Sequence, residues 1–257
     1  MTHPTVPYLT FTRSLIGGTL LLSTLLIACK KDETVDPAPA PATPTASVTL
    51  RIEPHIDGID LRFDTMMYIT PNSLAYSVTH AEYYISRIVL YGANSTPNDT
   101  LPGPFHVSDA LPTEFALGAM SAGTYSGAEL LLGLTPDLNV TGGLPNTLDN
   151  INMAWPDPMG GGYHFIKFEG HFIDGATPVG FAMHIGNNAN LPVSSTTQPF
   201  DLDGGYGTMS LRFNLNELFR TPHDYDLLNG NYSMGSMMLM TQLKENAADA
   251  FTLEYIP

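Results

Sequence analysis

Short segments in which apolar and polar residues alternate dominate this chain and limit it to a β-rich fold. Between Ala46 and Glu53 every second residue is apolar, so one face of the segment is hydrophobic and the other polar. A period of two is typical of a strand with one buried face. The turn signal at 55–58 then leads into a second alternating segment at 59–63, which predicts a β-hairpin.

The same pattern recurs along the chain and sets the expected fold class. Further strands are predicted at 75–78, 81–90, 126–132, 163–172, 179–184, 208–214 and 236–243. The 23 glycines and 21 prolines separate most of these segments, as turns between short strands require. Helix signals are confined to 215–219 and 246–250. We therefore predict an all-β single domain, an antiparallel β-sandwich or Greek-key-like barrel with one or two short helices.

The N-terminal segment has the features of a bacterial lipoprotein signal. Arg13 precedes an apolar run at 15–27 that ends in the lipobox Leu26-Ile27-Ala28-Cys29. This run is too short to span a membrane as a helix, which favours a cleaved signal peptide over residues 1–28. Cys29 would become the lipidated N-terminus and attach the protein to the membrane. It is the chain's only cysteine, so the exported domain is expected to fold without disulfides.

The residues after Cys29 predict a tether and then one domain. Residues 29–46 combine a short charged segment with a Pro/Ala-rich stretch, a composition that favours extended backbone. The β domain is assigned to 47–257. This arrangement resembles that of lipoproteins sent to the outer membrane, and the domain is expected to face either the periplasm or the cell surface.

Charge and motif content exclude several classes of function. The chain has 25 acidic and 10 basic residues, a formal net charge of −15. A nucleic-acid partner is not expected, because a phosphate backbone requires a basic surface. The sequence contains no nucleophile elbow, phosphate-binding loop or dinucleotide fingerprint. The chain is therefore predicted to bind a ligand rather than to act as an enzyme.

The histidines and the tryptophan are the candidate binding residues of this chain. His55 borders the first predicted turn, and His184 ends a predicted strand. Strand ends and loops are common positions for binding sites, although a single histidine is more often structural than a ligand. His164 and His171 are seven residues apart, which predicts opposite faces of one strand. The only tryptophan, Trp155, lies in a loop, where such a residue usually fills a core or anchors an interface.

Several landmarks, in order, resemble one family. They are His55 before Asp57-Gly58, the strand 83–90, Ala122-Gly123-Thr124-Tyr125, Met153-Ala154-Trp155, the segments 162–170 and 181–186, and the segment 244–251. With them the chain resembles the MbnP-like copper-binding proteins, the methanobactin-associated group related to MopE and CorA, from about Ser47 to the C-terminus.

The resemblance implies a β-sandwich that binds copper, as Cu(I) or Cu(II). It assigns His55 and His184 as ligands and Trp155 as a residue that can be oxidised to kynurenine. Apart from the resemblance, His164 and His171 are possible secondary ligands, and His164 stands where the family usually has an apolar residue. The implied partner is a dihaem peroxidase-like enzyme of the MauG type. Two neutral imidazoles suit copper, and kynurenine adds an amine and a carbonyl that indole lacks.

Two alternatives remain open, as does the role of a group of methionines. The domain could be a metal-free structural or adhesive module, or a carbohydrate-binding module in which Trp155 stacks on sugar rings. Met234, Met237, Met238 and Met240 are additional soft donors, but alternating methionines on a strand more often fill a core.

Overall fold

The structure is a computed structural model that describes residues 44–101, 103–110 and 113–257. The predicted signal peptide, the lipidation site Cys29 and the tether up to residue 43 lie outside the described residues.

The described chain consists mainly of strands. They are β1 Thr45–Ile56, β2 Ile59–Asp60, β3 Tyr68–Ile69, β4 Ala75–Gly92, β5 Asp99–Leu101, β6 Phe105–Val107, β7 Thr113–Ser121, β8 Gly123–Leu132, β9 His164–Asp174, β10 Thr177–Gly186, β11 Val193–Thr196, β12 Phe200–Leu202, β13 Gly205–Asn214 and β14 Phe251–Ile256. The α-helices are α1 Leu148–Asn152 and α2 Met237–Asn246, and short 3₁₀ helices cover Asp157–Met159, Asn188–Asn190, Leu215–Phe219 and Ala247–Asp249.

The first sheet has five strands. β1 pairs in parallel with β13, while β14, β2 and β7 all join the sheet in antiparallel pairs. The antiparallel prediction therefore holds for most of this sheet but not for its central pair. β1 and β13 are about 150 residues apart in sequence, and local pattern carries no information about such a pairing.

The second sheet has nine strands and carries the candidate site. Its main order is β10-β9-β4-β8-β11, with β12 also paired to β8 and the short strands β3, β5 and β6 paired to β4. β9 lies between β4 and β10 and is antiparallel to both. Residues predicted as two strands, 75–78 and 81–90, form the single long strand β4 with a register shift between Val78 and His80.

The two sheets share one hydrophobic core. Tyr83 of β4 and Phe213 of β13 meet edge to face, with ring centroids 5.2 Å apart. Phe219, in the 3₁₀ helix after β13, is completely buried and contacts rings from β4, β9 and β10. The predicted all-β sandwich with one or two short helices is confirmed. The helical segments predicted at 215–219 and 246–250 contain 3₁₀ helices, while the two α-helices lie mainly at other positions.

The strand predicted at 236–243 is wrong, because these residues lie in α2. Ser236 caps the helix by accepting a hydrogen bond from the Leu239 N–H at 3.3 Å. Met240, Leu243 and Ala247 are buried, a spacing of three and four residues that fits a helix face rather than a strand. Among the described residues, no helix combines the length and apolar character needed to cross a membrane.

Candidate metal centre

The site lies where β9 begins and β10 ends. Gly186 of β10 pairs with His164 of β9, after a register shift at Ile185. His184 precedes Gly186 by two residues, so positions 184 and 186 lie on the same face of the sheet. His164 and His184 are therefore diagonal neighbours, a relation in which ring side chains can touch. Their ring centroids are 5.0 Å apart and the ring planes are perpendicular.

Trp155 extends this pair into a row of three rings. Gly186 has no side chain, and the indole occupies that space: a Cβ on Gly186 would lie 2.4 Å from Cε3 of Trp155. The Trp155 and His164 ring centroids are 4.7 Å apart. We call Trp155, His164 and His184 the three-ring row.

Backbone hydrogen bonds hold Trp155 in this position. Its N–H donates to the Gly162 carbonyl at 2.9 Å, and its indole N–H donates to the Met159 carbonyl at 3.1 Å. The residue is only 3 % exposed. It nevertheless lines a cavity of about 360 Å³, together with Ile151 and Asp157. The indole is thus packed against His164 and also borders a space that a small molecule can enter.

His164 is a neutral imidazole at pH 7. Burial, followed by the nearby His184, lowers the pKa of His164 to about 4. Its Nδ1 lies 3.1 Å from the Met153 carbonyl oxygen, so Nδ1 carries the proton and donates. The lone pair of the neutral ring is then on Nε2, the atom through which imidazole commonly binds metals.

His184 is oriented by a carboxylate. Its Nε2 lies 2.8 Å from Oε1 of Glu169, and this hydrogen bond is the largest cause of the lowered pKa of Glu169. Ser233 holds the backbone on both sides, since its hydroxyl accepts from the His184 N–H at 2.6 Å and donates to the His184 carbonyl at 2.7 Å. Both the ring and the backbone of His184 are therefore held in place.

Among the described residues, the second ring nitrogen of His184 has no partner. Nδ1 is buried and makes no hydrogen bond within the described residues. Buried polar atoms almost always have a partner, and an exception requires an explanation such as a bound water or ion. In the tautomer that donates Nε2–H to Glu169, the ring carries its lone pair on Nδ1. A carboxylate on one nitrogen and a free lone pair on the other is the usual arrangement of a metal-binding histidine.

The donor set fits a metal held by two imidazoles. In the part of the chain that the structure describes, no three His, Cys, Asp or Glu side chains are grouped to hold an ion. A third ligand would have to be of another kind. The adjacent Trp155 is a poor ligand as indole, whereas kynurenine in its place would offer an amine and a carbonyl oxygen.

Comparison with known proteins identifies the family. A family model described as MbnP matches residues 45–238, which is most of the chain.

The chain belongs to the MbnP family.

A solved structure, MbnP from Methylosinus trichosporium, is similar to this chain with a TM-score of 0.49 and 16 % sequence identity, covering 82 % of this chain and 99 % of that one. No curated protein matches the chain.

His55 lies in the other sheet of this MbnP-family domain. It is near the end of β1, and its Nδ1 accepts a hydrogen bond from the Gly58 N–H at 2.9 Å, which closes the predicted turn. Burial is the main cause of its lowered pKa, and the charged groups that act on it belong to the five-stranded sheet and its turn. Among the described contacts, none joins His55 to the three-ring row. The structure thus groups His184 and Trp155 with His164 and leaves His55 apart.

His171 also lies outside the row. It is exposed on β9, opposite Gly180 of β10 and Ser77 of β4. Of the two possible secondary ligands, the structure brings only His164 to the candidate site.

Glu169 was not predicted to belong to the site. Its alternation with Lys167 is typical of a solvated strand face, and nothing local indicates a partner. Glu169 pairs in register with Ala182 of β10, so its side chain can reach diagonally to His184. Lys167 instead donates to the Asn152 carbonyl. Glu169 could have been recognised as the partner of His184 only if the register between β9 and β10 had been known.

We predict that Glu169→Ala weakens copper binding by about 10- to 100-fold, the usual cost of losing a partner that orients a ligand. Without Glu169, His184 can rotate and can carry its proton on Nδ1. Competition titration with a chromophoric Cu(I) chelator measures the affinity. Glu245→Ala is the matched control, because Glu245 pairs with His223 at another surface. Equal affinities of the two variants would contradict an orienting role for Glu169.

Proposed function

We propose that this chain is an extracytoplasmic copper-binding lipoprotein, anchored to the outer membrane through Cys29, in which His164 and His184 are the histidine ligands. It would acquire, store or deliver copper without catalytic turnover. A group derived from Trp155 would complete the site. The family to which the chain belongs supports the copper assignment, and the geometry supports the choice of histidines.

One observation carries the proposal: the buried, unpartnered Nδ1 of His184. It lies on a ring that packs against neutral His164, so two lone pairs are available on adjacent imidazoles. Burial without a partner costs free energy, about 1–3 kcal/mol for a neutral donor or acceptor. A bound ion would remove that cost.

The chemistry favours copper over zinc. A structural zinc site takes four ligands from cysteine, histidine, aspartate or glutamate, and a catalytic one takes three. Among the described residues no such group of three exists. Cu(I) accepts two or three ligands, and imidazole suits it. Two histidines with one tryptophan-derived donor form a set of that size.

The position of Trp155 is consistent with oxidation to kynurenine by a dihaem peroxidase-like partner. The indole touches a ligand on one side and borders the 360 Å³ cavity on another. The same position weakens the carbohydrate alternative, since a residue that is 3 % exposed has no free ring face on which a sugar can stack.

The experiment is metal analysis of the mature protein purified from its native host, combined with the intact mass and the mass of the Trp155 peptide. We expect about one equivalent of copper, since one pair of imidazoles can hold one ion. Conversion of Trp155 to kynurenine adds about 4 Da to its peptide.

The outcomes separate the parts of the proposal. Copper together with an unmodified Trp155 would retain the histidine pair and overturn the kynurenine assignment. A protein that holds no copper, even after reconstitution with Cu(I) under reducing conditions, would overturn the function. The intact mass also tests lipidation, because a protein still carrying residues 1–28 would contradict the predicted anchor.

A further inference from the structure

Two methionines on α2 converge on one side chain. Met237 and Met240 are three residues apart and therefore share a face of the helix. The sulfur of Met237 lies 3.5 Å from Nδ2 of Asn190, and the sulfur of Met240 lies 3.8 Å from the same atom. Met240 is buried, whereas Met237 is 50 % exposed. Met237 therefore lies at the surface and Met240 in the interior.

The hydrogen bonds from Asn190 leave a lone pair free on each of these sulfurs. Its amide nitrogen has two hydrogens but three acceptors within reach, the third being the Gly186 carbonyl at 3.4 Å. The amide oxygen of Asn190 accepts from Thr241. Thioether sulfur is only a weak acceptor, so each sulfur keeps a lone pair that a soft metal ion can use. A core-filling role accounts for Met240 but not for Met237, which is half exposed.

The thioether pair, Met237 and Met240, lies next to the three-ring row. Asn190 contacts the Gly186 carbonyl, and the backbone of Gly186 packs against the Trp155 ring. Gly186 follows His184 by two residues on β10. A series of contacts therefore links exposed Met237 and buried Met240, through Asn190, to the end of β10 at which the two histidines meet.

We propose that Met237 and Met240 form a Cu(I) capture site, which takes the ion at the surface and passes it to His164 and His184. The transfer to the histidines rests on the proposed function, while the capture step stands on the thioether pair alone. The exchange of ligands involves no change in oxidation state.

Ligand chemistry determines which ion this site takes. Thioethers are neutral and polarisable, and they suit Cu(I), whereas Mg²⁺ and Ca²⁺ prefer oxygen ligands. Methionine does not titrate, so capture should not depend on pH, in contrast to binding by imidazole. Transfer toward the histidines requires that the two thioethers bind Cu(I) more weakly than the histidine pair does.

The test of transfer is the rate at which the metal-free protein takes up Cu(I) from a weak chelator, followed by stopped flow. The double variant M237L/M240L preserves volume and apolar character. We expect this variant to take up Cu(I) about tenfold more slowly, which is within the range over which association rates respond to local changes. Its Cu(I) affinity should stay within about twofold of that of the wild type. Met238→Leu is the matched control, since Met238 is the adjacent helix residue, is 67 % exposed and makes no contact with Asn190 among the described residues.

A second measurement separates capture from the histidine site. In a protein with His164→Phe and His184→Phe, labelled methionine methyl groups are followed by NMR during titration with Ag(I), a redox-inert substitute for Cu(I). We expect the signals of Met237 and Met240 to shift and that of Met238 to stay in place. If M237L/M240L loads at the wild-type rate, or if Met238→Leu slows loading equally, the transfer role is overturned. Absence of an Ag(I) shift at both methionines overturns the capture site, whereas failure of the wild type to hold copper overturns only the proposed function.

Discussion

The double variant H164F/H184F is expected to lose more than about 100-fold in copper affinity, because even partners that only orient a ligand are worth about 10- to 100-fold. Phenylalanine keeps an aromatic ring at each position but removes the lone pairs on His164 Nε2 and His184 Nδ1. Removing either histidine leaves one imidazole, while removing both leaves no nitrogen donor in the three-ring row. Chelator competition measures the affinity, and circular dichroism checks that the fold is retained.

Two further histidines serve as controls and decide between the sequence-based and the structure-based assignments. His171→Asn removes an exposed histidine from the same strand as His164 and should leave affinity unchanged. His55→Asn keeps an acceptor for the Gly58 N–H while removing the imidazole. We expect this variant also to bind copper normally. Strong loss in His55→Asn with normal binding by H164F/H184F would return the site to His55.

Phe219→Ala is expected to destabilise the domain by about 3–5 kcal/mol, the usual cost of truncating a fully buried phenylalanine. Phe219 is 0 % exposed, and its ring contacts Tyr76 and Phe168, with centroids 6.1 and 5.7 Å away. It also contacts Phe181 and Tyr225, at 6.2 and 5.8 Å. Alanine would leave a cavity among rigid rings that cannot close around it.

Urea unfolding followed by near-UV circular dichroism measures this effect as a fall in the transition midpoint. Tyr206→Ala is the control, because Tyr206 is an aromatic residue that is 87 % exposed, and its loss should change stability by less than about 0.5 kcal/mol. A loss below about 1 kcal/mol in Phe219→Ala would mean that the aromatic cluster can repack, and would contradict a rigid core at this position.

The strands with clear alternation were predicted from sequence, and the irregular ones were not. Residues 208–214 and 179–184 fall within β13 and β10, because period-two burial is visible in the residues themselves. β7 has partly exposed residues on both faces and lacked that signal. The error at 236–243 arose because methionine and leucine fit either a strand or a helix, and tertiary burial at every third or fourth residue decided for α2.

The candidate site could be predicted from the sequence only in part. Trp155 and His184 were selected from sequence, and the structure brings them together with His164. Glu169 was not selected, because its role depends on the diagonal contact across β9 and β10. The turn predicted beside His55 is present in the structure. The His55 ring, however, accepts a hydrogen bond from the backbone of Gly58 and does not join the three-ring row.

The amino-acid sequence by itself determined the all-β class, the turns and the family, since alternation, glycine and proline positions and ordered motifs are local properties of a chain. The tertiary structure alone decided which histidines are neighbours. That choice depends on a one-residue register shift at Ile185, on the missing side chain of Gly186 and on the pairing of β9 with β10. In a sheet, a shift of one residue moves every side chain to the opposite face, so proximity between distant residues follows from register and not from sequence spacing.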